Sequence, residues 1–135
     1  MKRDITKERI QLFIHLTKAA RYNEVLKEEY RRLGKKILKE LVEIIGLKKG
    51  EYDIRWNPGG IACSGDHTLH TDWFYLDLSD NVGSGWFFYR TCKSRKDYTG
   101  GTNRIVHWDF LVNYGLQELA NVIKRDYPRQ PKITL

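Results

Sequence analysis

Long apolar runs are missing from this chain of 135 residues. With no stretch of about 18 or more apolar residues and no hydrophobic leader after Met1, nothing in it reads as a membrane span, and the expectation is a soluble, cytoplasmic protein. Cysteine is scarce as well. Cys63 and Cys92 are the only two, too few for a disulfide scaffold, and both fall in expected strands where reduced, buried thiols are the natural state. Proline is confined to Pro58, Pro128 and Pro131, so no helix before the tail is interrupted by a ring that lacks an N–H. Catalytic signatures are absent too: there is no Walker loop, G-x-S-x-G elbow, H-E-x-x-H or Cys-x-x-Cys, and Gly83 and Gly85 do not build a dinucleotide fingerprint. No cofactor and no metal is therefore expected.

What is present is one domain's worth of ordinary globular composition, 41% hydrophobic, 13% aromatic and 30% charged. The net charge of +7 is unevenly placed. Residues 1–50 hold 14 Lys and Arg against 7 Asp and Glu, whereas the remainder carries 10 of each. Within that neutral part, residues 51–82 have six acids and one base, and residues 85–104 have five bases and one acid. A basic excess favours a polyanionic partner such as nucleic acid, although interleaved helical charges also serve as a solvated face.

Periodicity divides the chain into a helical region 5–46, a β meander 51–93, a basic loop 93–104, a C-terminal helix 107–125 and a tail 126–135. Met1 to Asp4 is expected to fray. Ile10, Phe13, Ile14 and Thr17 follow the i, i+3, i+4, i+7 spacing of one buried helical face, and Arg21 to Asn23 interrupt it. From Glu24, the residues Leu26, Tyr30, Leu33, Ile37, Leu41 and Ile44 define a six-turn amphipathic helix capped at Gly46. Lys27, Arg31, Arg32, Lys35, Lys36 and Lys39 make its outer face basic. The period then changes to two. Strands are expected at Tyr52–Asn57, at Ile61–Ser64 and over residues 69–78, with a 79–85 turn leading into a fourth. The fold class is α+β: N-terminal helices and a C-terminal helix packed on a roughly four-stranded antiparallel sheet.

The stretch GWFFYRTCKSRKDYTGGTNR, residues 85–104, is the focus of the functional reading. Alternation places Trp86, Phe88, Arg90 and Cys92 on one face of a strand and Phe87, Tyr89, Thr91 and Lys93 on the other, so the strand is expected to be central. The loop after it carries Lys93, Arg95, Lys96 and Arg104, with Gly100 and Gly101 free to bring backbone N–H groups close to a ligand. Together with Arg90 and with Tyr98 as a stacking ring, these residues form a candidate receptor for phosphate.

A second constellation, Asp66, His67, His70 and Asp72, matches no zinc spacing and is expected as a turn followed by a polar strand edge. On an extended chain Asp66, His70 and Asp72 would share one face and His67 the other. Among these, His70 and Asp72 are weak candidates for acid/base work. His107, beside Asp109 at an expected helix start, is a third.

The run Phe88–Arg104, extended by LHTDWFYLDLS over residues 69–79, resembles small uncharacterised proteins of phages and other mobile elements. The resemblance implies a bacterial cytoplasm and an accessory role in handling nucleic acid or blunting host defences, and it carries over no site. The leading expectation is thus a binding protein for nucleic acid or another phosphate-rich ligand, acting through residues 90–104. The alternatives are an anti-CRISPR-like inhibitor that binds a host protein, and a phosphodiesterase or nuclease with His70 or His107 as general base.

Overall fold

The computed structural model describes residues 6–79, 85–97 and 101–126. Three helices and five strands follow in the order α1 (Lys7–Ala19), α2 (Glu24–Ile45), β1 (Tyr52–Asn57), β2 (Asp66–Thr71), β3 (Phe74–Asp77), β4 (Trp86–Thr91), β5 (Asn103–His107) and α3 (Trp108–Asp126). The strands form one antiparallel meander in sequence order. All three helices lie on one side of it. Helix α2 covers β1 and β2, α3 covers β4 and β5, and α1 lies against both helices. The fold is α+β, with five strands instead of the expected four.

The helices begin and end where side-chain chemistry dictates. The Thr6 hydroxyl caps α1 by accepting from the Arg9 N–H, and the Asn23 carboxamide caps α2 by accepting from the Leu26 N–H at 3.0 Å. Between them Tyr22 takes a positive φ of 59° and donates its N–H to the Ile61 carbonyl at 3.0 Å, which turns the chain sharply at the expected interruption. Gly46 closes α2 in the left-handed conformation, with φ 96°. Buried faces of the helices (Ile10, Phe13 and Leu16; Tyr30, Ile37, Leu38 and Leu41; Leu116, Leu119 and Ile123) meet Leu69, Phe74, Leu76, Phe87 and Tyr89 from the sheet. Phe13 links the layers, stacking on Tyr30 at 4.8 Å and tilting against Trp108 at 5.8 Å.

Three boundaries differ from expectation. Residues 61–64 form a turn, not a strand, because they are tied to the first helix and its turn: the Ser64 hydroxyl donates to the Thr17 carbonyl at 2.8 Å while the Ile61 carbonyl accepts from Tyr22. Cys63 is consequently exposed, while Cys92 is buried; both are free thiols. The segment 69–78 is a hairpin instead of one strand. Thr71 folds it, its Oγ1 accepting from the Trp73 and Phe74 N–H groups at 3.0 and 2.9 Å and donating to the Phe74 carbonyl. The basic loop ends early, at the edge strand β5, and His107 closes that strand so that α3 begins at Trp108. Most of the expected turn at 79–85, residues 1–4 and the tail beyond Asp126 lie outside the described residues.

Candidate functional site on the open face of the sheet

Strand register decides which side chains share a surface. Leu69 pairs with Leu76, Leu76 with Tyr89 and Tyr89 with Arg104, so these point toward the helices. The opposite face has no described element packed on it. One row across it reads Asp53, His70, Tyr75, Arg90 and Asn103; the next reads Arg55, Thr68, Asp77, Phe88 and Ile105. Trp86 and His107 pair beyond them, nearer the α3 end. This is an aromatic strip set among polar groups. The His70 and Tyr75 rings are 5.0 Å apart, and Tyr75 and Phe88 are 6.0 Å apart. Tyr75, Trp86 and Phe88 are half-buried, and Ile105 is 55% exposed, which is high for isoleucine.

The electrostatics of this face are mixed but organised. Arg90 donates to the Asn103 side chain at 2.9 Å, which lays its guanidinium along the first row. The His70 pKa is lowered, first by burial and then by the positive charges of Arg55 and Lys96, with Arg95 adding a smaller push and Asp53 opposing. Cations therefore gather around the His70 end. Toward the middle, burial pushes the Asp77 carboxyl up to about 7, helped by the neighbouring Asp66 charge and opposed by hydrogen bonds from Ser79 and Tyr75. One oxygen of Asp77 is buried without a partner, so near neutrality this carboxyl holds a proton part of the time.

The residues singled out in the sequence do not all meet. Arg90 and His70 share the open face and one row of it, with only β3 between them. Lys93 and Lys96 are exposed on a tight turn in which Ser94 and Asp97 bridge and Lys96 takes φ 68°. Arg95 folds back across the sheet end, donating to Asp72 at 3.1 Å and to the Gly50 carbonyl at 2.8 Å, with Asp53 at 4.0 Å. Asp72 thus sits in the β2–β3 turn as an ion-pair partner and does not share the face of His70 and Asp66. Arg104 points to the helix side, where it lies 3.5 Å from Asp126, the carboxylate that also accepts from the Tyr89 hydroxyl at 2.5 Å. Burial and that bond raise the Tyr89 pKa. Gly101 is packed so closely on the Thr91 carbonyl and Arg90 that a side chain there would collide. Tyr98 and Gly100 lie outside the described residues. His107 is three strands and four residues from His70, on the order of 20 Å by strand spacing, so the two imidazoles do not share a cleft. No group of three His, Cys, Asp or Glu side chains able to hold a metal occurs among the described residues.

Sequence reading did not bring Arg55, Asp77 and Asn103 together with Tyr75 on this surface. Alternation within each strand pointed to them, but the neighbour each would meet depends on pairing register. The fold and this face define a class of protein: a five-stranded antiparallel meander, helices on one side, and an uncovered aromatic and charged surface on the other. Comparison with known proteins finds no matching family model, no matching curated protein and no matching solved structure.

Proposed function

We propose that the chain is a non-enzymatic binder of single-stranded nucleic acid and that the open face of the sheet is its platform. The supporting observation is the strip His70, Tyr75 and Phe88, ring beside ring on a rigid sheet, with Arg90 in the same row and Arg55 and Lys96 acting electrostatically on His70. Unpaired bases present flat faces that stack on such rings without regard to sequence, while guanidinium and ammonium groups take the phosphates. Relative to the expected 90–104 receptor, this reading keeps Arg90 and Lys96, and it leaves Arg95 and Arg104 to their ion pairs.

The test is fluorescence anisotropy with labelled single-stranded RNA and DNA over a range of salt. Binding should fall steeply with salt, and Tyr75→Ala and Phe88→Ala should each weaken it by about tenfold, the worth of roughly one stacked base. Because both side chains face away from the core, the variants should retain native circular dichroism. Salt-independent binding, or full affinity in the Tyr75→Ala/Phe88→Ala double variant, would falsify the platform. Capture of a protein partner through the same face by nuclease-treated material would replace it with the inhibitor reading.

A further inference from the structure

A cleft of about 740 Å³ lies away from the aromatic strip, where α1 meets the junction of β5 and α3. That volume suits a small-molecule ligand. His15 and Lys18, one helical turn apart on α1, stand on one wall; His107 and Asp109, flanking Trp108, stand on the other, and Ile14 adds an apolar patch. His15, Lys18, His107 and Asp109 are all exposed, and none makes an ion pair or a side-chain hydrogen bond among the described residues. Trp108, in the same wall, is 4% exposed, and its indole N–H has no acceptor among the described residues, an uncommon state for a buried donor.

The donor set specifies the ligand's chemistry. An ammonium and two imidazole rings favour a compact anion. A lone carboxylate, on the wall it shares with His107, repels a second anionic group but accepts from hydroxyls. A molecule carrying a phosphate at one end and a sugar diol at the other satisfies both. We infer that this cleft binds a nucleoside monophosphate, with its phosphate against Lys18 and the imidazoles and its ribose hydroxyls toward Asp109. The site is spatially separate from the platform, so either stands if the other fails. The same chemistry is presented by a free nucleotide and by the phosphorylated end of a strand.

Imidazole resonances of His15 and His107 provide the readout in an NMR titration of the full chain with adenosine monophosphate and, separately, adenosine. The monophosphate should shift both resonances saturably at millimolar concentration or below. Adenosine should bind at least about tenfold more weakly, the worth of one charge-assisted contact. Lys18→Ala should weaken the monophosphate by a similar factor, while His70→Ala on the open face should leave it unchanged. Competition by an oligonucleotide with a 5′ phosphate, and not by its dephosphorylated form, identifies a strand end as the natural source; no competition identifies the free nucleotide. Equal shifts with adenosine and its monophosphate, or no saturable shift with either, overturn the inference. Loss of oligonucleotide binding in Tyr75→Ala/Phe88→Ala with the monophosphate titration intact bears on the platform alone.

Discussion

His67 is 1% exposed, and its ring lies within 5.4 Å of Phe13 and 4.8 Å of both Tyr30 and Trp56. Its Nε2 is 3.3 Å from the Arg31 carbonyl, and α2 makes room for it with Gly34, where any side chain would collide with the imidazole. Gly34→Ala should therefore cost about 1–3 kcal/mol through overpacking, despite alanine's better helix propensity, measured by urea unfolding. Burial lowers the His67 pKa from 6.5 to about 4. A base whose folded pKa is depressed contributes stability that is present above the unfolded value and lost as pH falls toward the folded one. Up to about 3 kcal/mol should disappear between those two pH values, and His67→Gln should flatten that limb of the stability–pH curve. Asp77 acts in the opposite sense. Its folded pKa is raised from 3.8 to about 7, so its destabilising contribution grows as pH rises through that window. Asp77→Asn should gain about 1–2 kcal/mol near pH 8, after allowance for partial solvent screening, and nothing below the unfolded pKa. Alternation alone points Asp77 outward from its strand, but its altered acidity comes first from burial in the packed sheet and then from Asp66 on the neighbouring strand.

Among the elements, α2 was the most legible, since 22 residues with one apolar stripe, a side-chain cap and a terminal glycine agree at every level. Asn23→Ala should remove about 1 kcal/mol by leaving an N-terminal N–H unpaired, and a thermal melt checks it. Helix α3 is less regular. Gly115 interrupts it with φ 82° and ψ 179°, a conformation that L side chains rarely adopt. Gly115→Ala should accordingly lower stability by about 1–3 kcal/mol, whereas Gly60→Ala, at a position with open space and no positive φ, should change it little. The hairpin of β2 and β3 escaped the sequence because Leu69 to Leu78 reads as one strand, with Phe74, Leu76 and Leu78 alternating against Trp73, Tyr75 and Asp77. A single threonine hydroxyl, bonding three backbone groups around Asp72 and Trp73, breaks it. Strand β5 escaped for another reason: of its five residues only Val106 is buried, so no alternating pattern marks it and pairing with β4 alone makes it a strand.

Among the described residues, the basic outer face of α2 and the aromatic surface are on opposite sides of the sheet. Lys35 and Lys39 are exposed on α2, with the helix layer and the sheet between them and the Tyr75–Phe88 strip. At physiological salt the Debye length is about 8 Å, so Lys35→Ala/Lys39→Ala should change oligonucleotide affinity by less than about twofold, while Arg90→Ala should cost about five- to tenfold. Equal losses in the two, measured by anisotropy at the same ionic strength, would move the binding surface to the helices. The sequence by itself determined the α+β class, the two-helix N-terminal unit and which side of each well-marked strand is apolar, because these follow from local periodicity and capping. Only the tertiary structure decided which cations remain available. Arg95 and Arg104 are drawn off by Asp72 and Asp126, partners 23 and 22 residues away in the chain, while Tyr75, Phe88 and Arg90 are brought into one strip by strand register. Charge and ring chemistry are written residue by residue, but their pairing depends on distances that only the packed sheet fixes.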